Sequence, residues 1–159
     1  MPLLDMAQLS GSAVRGKALL GFDVGTKTIG LAISDPGWRI ASPLKTINRT
    51  KWPADLAAVA AVIKERACGG GIIGLPRNMD GSEGPRAQSI RAFAENLLAR
   101  PDLLGAEFVL AFWDERLSTA AVERSLIADD MTRKRRDEVI DKMAAAYILQ
   151  GALDALALR

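Results

Sequence analysis

An α/β fold, a mixed five-stranded sheet with helices on both faces, is what this sequence predicts, and three observations carry that expectation. Apolar runs at 17–24, 28–35 and 39–47 follow one another across gaps short enough to be turns. Beyond them the apolar spacing changes to helical and strand-like segments in alternation. At 159 residues, 49% hydrophobic and 25% charged, the chain can bury a core of its own without disulfide or metal staples.

Taken in order, residues 1–16 lack periodicity, carry Pro2, Gly11 and Gly16, and read as a loosely ordered tail; residues 17–159 form the domain. The first strand leads into Gly25-Thr26-Lys27, a hairpin gap that suits a positive φ at Gly25. Pro36-Gly37 is the next turn, so the first three strands make an antiparallel meander. Leu56, Val59, Ala60 and Ile63 then recur at helical spacing, and Gly69-Gly70-Gly71 ends that helix. Ile72-Ile73-Gly74-Leu75 is a short buried strand closed by Pro76. A loop, Arg77 to Gly84, precedes a helix with Ile90, Phe93, Ala94, Leu97 and Leu98 on one face. Strand 107–113 follows, then a short helix capped by Ser118 or Thr119, and a last helix from near Asp137 to about Leu156.

Composition narrows the chemistry. The chain has no histidine, which removes Ser-His triads, histidine general bases and histidine-ligated zinc. A single cysteine, Cys68, cannot form an intramolecular disulfide or a thiolate zinc site and fits a reducing cytoplasm. No signal-like N-terminus and no apolar span of membrane length is present, so no membrane partner is expected. The net charge is +2, with Arg133-Lys134-Arg135-Arg136 as the one concentrated basic run, behind Asp129-Asp130. Such a run serves either as a solvated loop or as a grip on phosphate backbones.

Carboxylates carry what remains. Asp23 ends the first strand, on the face of Leu19 and Gly21, where it either caps the hairpin or opens onto a crevice at the strand ends. Asp114 and Glu115 end the last strand and point to opposite faces, with Arg116 beside them as an alternative partner. Asp141 falls in register with Ala144, Ala145, Ile148 and Ala152, the stripe of the final helix that faces the sheet. An acid there needs a partner, Lys142 or Lys17, or the start of its helix, or a metal. Three acids remote in sequence can hold Mg²⁺ or Mn²⁺, hard ions that bind through oxygen and assist in-line displacement at phosphorus. Of the strand-end pair, Glu115 is the preferred ligand, since it lies later and reaches further, with Asp114 contributing beside it; a bulge would exchange them.

Four blocks then carry a resemblance. Asp23-Val24-Gly25-Thr26-Lys27-Thr28-Ile29-Gly30-Leu31-Ala32, Gly74-Leu75-Pro76-Arg77-Asn78-Met79-Asp80-Gly81-Ser82, Asp114-Glu115-Arg116-Leu117-Ser118-Thr119 and Asp141-Lys142-Met143-Ala144-Ala145 resemble, in order, the signature blocks of the YqgF/RuvX family. The resemblance spans residues 17–154. It implies a ribonuclease H-like fold, related to RuvC resolvases, and a metal-dependent nuclease acting on Holliday junctions or maturing the 5′ end of 16S ribosomal RNA. The matching acids are Asp23, the Asp114-Glu115 pair and Asp141. The family pattern usually has Lys-Arg-Ile-Gly where this chain has Lys27-Thr28-Ile29-Gly30, so one phosphate contact is missing here.

The Gly74–Gly84 loop, with the turn Asp80-Gly81, brings backbone amides toward a phosphate, and Ser82 caps the next helix; without a ligand it is a plain turn and cap. Residues 131–136 read as a mobile basic loop over the groove. Candidates for gripping nucleic acid are Lys27, Arg77, Asn78, Ser82, Arg116, Arg133, Lys134, Arg135 and Arg136. Two other readings stand beside the nuclease. Asp23-x-Gly25-Thr26-Lys27 also resembles the phosphate hairpin of actin-like ATPases and sugar kinases, although one domain cannot close over ATP; a non-catalytic nucleic-acid-binding module is the third. RNA against DNA, one metal against two, and monomer against homodimer are all left open by the sequence.

Overall fold

The computed structural model describes residues 3–12, 14–117 and 133–158, of which 133–139 are described as backbone only. Six strands form one sheet: β1 (Leu3–Leu4), β2 (Leu19–Val24), β3 (Thr28–Ser34), β4 (Ala41–Asn48), β5 (Gly70–Leu75) and β6 (Val109–Asp114), in the order β1-β6-β5-β2-β3-β4. The meander β2-β3-β4 is antiparallel, whereas β5 runs parallel to both β2 and β6. Every residue of β2 and β5 is buried. That is why both read as continuous apolar runs rather than alternating ones.

Helices cover both faces: α1 (Met6–Ser10), α2 (Trp52–Arg66), α3 (Pro85–Leu98), α4 (Pro101–Leu104) and α5 (Arg133–Ala157). On one face Phe22, Ile73 and Leu75 pack against Leu56 and Val59 of α2 and Phe93 and Leu97 of α3. On the other, Leu19, Ile72 and Trp113 meet Ala145, Ile148, Leu149 and Ala152 of α5. Glycines let α5 descend onto this second face. A Cβ at Gly21 would lie 2.8 Å from Leu149 Cβ, and one at Gly30 only 2.0 Å from the carbonyl oxygen of Asp141.

Several expectations are corrected. The sheet has a sixth strand because Leu3 and Leu4 pair in parallel with Leu110 and Ala111, covering an edge of β6 that would otherwise be open. The segment 1–16 is therefore not simply a loose tail. Its helix α1 carries a reciprocal capping box, Gln8 N donating to Asp5 Oδ1 (2.7 Å) and Asp5 N to Gln8 Oε1 (3.0 Å), and Leu9 is fully buried. Gly25 does not take a positive φ; among the described residues the left-handed non-glycine ones are Trp38 and Ala67. Ala67 (φ 52°) ends α2, which frees Gly70 and Gly71 to begin β5.

The run Arg133–Arg136, expected in a loop, belongs to α5, as suits residues of good helix propensity, and Asp137 is inside that helix. The side chains of that basic run, and the proposed cap at Ser118 or Thr119, lie outside the described residues. Burial pushes the Cys68 thiol up to about 11, which makes it a packing residue rather than a nucleophile at neutral pH.

Candidate active site

The carboxyl ends of β2, β5 and β6 open at the same edge of the sheet, and the parallel register sets which side chains meet there. Phe22 pairs with Ile73, and Gly74 with Trp113. One step along, Asp23 is the last but one residue of β2, only 6% exposed, on the face that α5 covers. The guanidinium of Arg86, in the first turn of α3, stands 4.0 Å from Asp23 Oδ1. A carboxylate so deeply buried is costly unless a positive charge or hydrogen-bond donors compensate it.

Strand alternation separates the two acids that end β6. Glu115, in the 3₁₀ turn Glu115–Leu117 that follows the strand, folds its carboxylate over Gly74 on the α5 side. A Cβ at Gly74 would stand 2.8 Å from Glu115 Oε1 and 2.6 Å from Ile148 Cδ1. Asp114 points elsewhere. It accepts from Arg116 Nη2 at 2.7 Å, from Arg116 Nε at 3.0 Å and from the Arg116 backbone N–H at 3.0 Å. Hydrogen bonding to that guanidinium holds the Asp114 carboxyl below the usual carboxylate range.

Asp141 lies on α5 where that helix crosses the start of β3. Because Gly30 has no side chain, the helix backbone at Asp141 presses on β3, and Thr28 Oγ1 donates to Asp141 Oδ2 at 2.5 Å. The residue at which the sequence departs from the family pattern thus donates a hydrogen bond to this carboxylate. Lys142 and Lys45 line a 330 Å³ cavity between α5 and β4. Among the described residues, no three Asp, Glu or Cys side chains lie close enough together to hold one metal ion.

The loop from Arg77 to Gly84 is held by its own polar groups. Asn78 N donates to Ser82 O (2.8 Å), Gly81 takes φ 88°, and Ser82 donates through both N and Oγ to Asp80 Oδ1. Ser82 does not cap α3. That position belongs to Gly84, with no side-chain cap, because the hydroxyl of Ser82 is turned back into the loop. Asn78 Nδ2 donates to the same hydroxyl at 3.0 Å. Arg116 latches the loop to β6 by donating to the carbonyls of Asn78 (3.4 Å) and Met79 (3.5 Å). Arg77 pairs with Glu83 at 3.7 Å, and its buried Nε has no hydrogen-bond acceptor among the described residues. The side chain of Lys27 is exposed at the hairpin.

The structure thus draws Asp23 and Glu115 to one face, ties Asp141 to Thr28, and commits Asp114, Arg116, Asn78 and Ser82 to shaping the loop. Sequence reasoning missed Arg49 and Arg86. Nothing in their local spacing marks them, and only the parallel crossover from β5 into α3 brings Arg86 to Asp23.

Comparison with known proteins agrees with this architecture. A family model described as RuvX, Holliday junction resolvase, matches residues 17–155. A protein of Rhodospirillum centenum that bears the provisional name pre-16S rRNA nuclease is 58% identical over 98% of this chain and 83% of its own length. One of Nitrobacter winogradskyi with the same provisional name is 59% identical over 99% of this chain and 91% of its own. Among solved structures, Thermus thermophilus RuvC in complex with Holliday junction substrate matches with a TM-score of 0.51 at 14% identity, across 87% of this chain and 94% of that one. That last likeness is one of fold.

Proposed function

The chain belongs to the RuvX family, and from that premise we propose that it is a nuclease hydrolysing phosphodiester bonds in structured nucleic acid, with the 5′ end of precursor 16S ribosomal RNA as its substrate and the cytoplasm as its place of action. One observation carries the chemical part of this reading. Asp23, buried at the end of β2, and Glu115, folded over Gly74, are acids from distant parts of the chain on one face at one sheet edge. Carboxylates collected on one face of one sheet edge make each other's ionised form more costly, and a positively charged ligand between them offsets that cost.

We assign Asp23, Glu115 and Asp141 as the oxygen donors for Mg²⁺ or Mn²⁺, an assignment that requires the three carboxylates to close on the ion from the wider spacing they have in this structure. An all-oxygen set without histidine or thiolate fits a hard divalent ion. When bound, such an ion activates a water and neutralises charge on the phosphoryl oxygens. The protein's own part is positional. Gly30 sets how closely α5 approaches β3, Thr28 orients the Asp141 carboxylate, and the Asp114–Arg116 pair fixes the loop beside Gly74. Lys27, Lys45 and Lys142 supply positive charge around the groove for phosphate backbones.

The test is Asp23→Asn, which keeps size and hydrogen bonding but removes the charge. Cleavage of a 5′-extended 16S precursor fragment, in Mn²⁺ or Mg²⁺, should fall about a hundredfold or more, with the circular dichroism spectrum unchanged. A four-way DNA junction and a linear duplex run in parallel decide the substrate. Near-normal cleavage by the variant would remove Asp23 from the chemistry.

A further inference from the structure

On the opposite side of Asp23 from Glu115 there is a second feature that the nuclease reading does not use. An open cavity of about 510 Å³ lies between the β2–β3 hairpin and the start of α3, with Gly25, Thr26, Arg49, Arg86 and Ser89 around it and Val24 and Ile90 in its wall. Its polar rim combines two guanidinium groups with two hydroxyl-bearing residues. The residues that frame it are fixed in different ways. Arg49 Nη1 donates to the Gly25 carbonyl at 2.7 Å, its Nε stands 3.7 Å from Asp55, and its guanidinium lies 5.7 Å from the Phe93 ring centroid. The Arg49 backbone N–H also donates to Lys27 O at 2.8 Å, so this arginine braces the hairpin against α2 and α3.

Arg86 differs. Its side chain is 55% exposed, with Asp23 Oδ1 at 4.0 Å, the limit of an ion pair rather than a formed hydrogen bond. A guanidinium presents five donors in a planar fork suited to phosphate oxygens. Helix α3 is 14 residues long, begins with Pro85 and has no side chain capping it, so its positive end also faces this place.

We infer that this cavity is a second phosphate subsite, one that takes a backbone phosphate of the substrate strand flanking the bond held at Asp23, with Arg86 as its principal contact, Ser89 and Thr26 beside it, and Arg49 as the brace that keeps the hairpin in place. The inference rests on the nuclease reading for the identity of the strand, but its geometry does not depend on any metal. Arg86 couples the two places. Engaged with a phosphate, it holds the strand across the end of β2 with Asp23 beneath.

The experiment compares the full-length chain with Arg86→Gln, Arg86→Lys and Ser89→Ala, using fluorescence anisotropy on the 5′-extended 16S precursor fragment in EDTA, so that binding is read without cleavage. Arg86→Gln should weaken binding roughly tenfold, the size of one charge-assisted contact, and lower the slope of log K against log salt by about one. Arg86→Lys should restore the slope, and Ser89→Ala should weaken binding by a smaller factor. Unchanged melting temperatures would show that folding is not what moved.

In parallel, inorganic phosphate is titrated into ¹⁵N-labelled protein while the Gly25, Thr26 and Ser89 amides are followed. Wild-type binding and salt slope retained in Arg86→Gln overturn the proposal and leave the nuclease reading intact. Amide shifts with inorganic phosphate but no effect of Arg86→Gln on RNA binding would assign the cavity to free phosphate and overturn the backbone assignment. Conversely, the expected loss of affinity and slope in a protein that never cleaves would uphold the subsite while sinking the nuclease reading.

Discussion

The two faces of the sheet are packed by different means. The face under α2 and α3 is filled by large side chains: Phe22 meets Phe93 edge-on at 6.1 Å between ring centroids, and Trp52 meets Phe93 at 5.6 Å. The face under α5 combines large side chains such as Ile72, Trp113 and Ile148 with close approach of the helix itself. Gly21, Gly30 and Gly74 in the strands, and Ala144, Ala145 and Ala152 in the helix, bring backbone close to backbone. A core of large side chains needs only apolar volume and tolerates redistribution among similar residues. A close helix-on-sheet contact fixes position to a few tenths of an ångström, and here it is the face that delivers Asp141 to Thr28. Site geometry is demanded of one face and bulk stability of the other.

The most damaging way to break that contrast is to add one methyl group to each face. At Gly30 the new Cβ would overlap the Asp141 backbone, which cannot rotate away; at Gly71, on the opposite face, its closest neighbours would be the ends of Phe22 (2.8 Å) and Leu110 (2.9 Å), which can shift, with the Leu20 carbonyl oxygen further off at 3.2 Å. We expect Gly30→Ala to cost upward of ~3 kcal/mol, beyond ordinary overpacking, and Gly71→Ala to fall within the usual ~1–3 kcal/mol. Urea unfolding of the two variants gives the comparison. Equal costs would mean that α5 yields as readily as a side chain, and Gly30 would lose its role in placing Asp141.

The next largest effect concerns the two acids of β6, neighbours in sequence with different surroundings. Glu115→Gln should lower cleavage about a hundredfold or more and weaken Mn²⁺ binding in calorimetry. Asp114→Asn, which loosens the Arg116 latch but leaves the carboxylate over Gly74, should lower cleavage roughly tenfold or less and leave Mn²⁺ affinity nearly unchanged. The reverse order would move the ligand to Asp114 and make Glu115 its support.

How far the sequence revealed all this depended on whether a signal was local. The buried strands were legible because β2 and β5, covered on both faces, must be apolar throughout. Asp141 was legible as an acid in an apolar helical stripe. Strand β1 was not, because two leucines have no periodicity and their pairing with β6 is set 107 positions away by tertiary structure. Helix α1 did carry a signal, Asp5 and Gln8 at capping-box spacing, but five residues are too few for a periodic pattern to support it. Propensity places the end of α2 at Gly69–Gly71, yet Ala67 takes the left-handed position and the glycines are needed in β5, where Gly70 approaches Val109 O and Gly71 approaches Phe22. Arg86 lay beyond reach of any local rule, since its meaning comes from the crossover that sets α3 beside β2.

The smallest expected effect belongs to the loop, the one part of the site held by exposed polar contacts rather than by packing. Its latch is the pair of Asp114 and Arg116, with Arg116 donating onward to the carbonyls of Asn78 and Met79. Because the native pKa of Asp114 is depressed, the pair contributes fully above the ordinary carboxylate value of about 4 and fades as pH falls through the depressed native value. Loop protection should therefore be flat from neutral pH down to about 5 and lost only in stronger acid. Amide exchange of Gly81 and Ser82, followed from pH 7 down to about 3, reads it directly, with Arg116→Gln as the reference in which the latch is absent at every pH. We expect this variant to show faster exchange at those two amides at neutral pH and an unchanged global unfolding midpoint, since exposed ion pairs contribute little to the whole. A midpoint that falls markedly in Arg116→Gln would show that the loop is part of the packed core, and the division of labour between packed and latched regions would have to be redrawn.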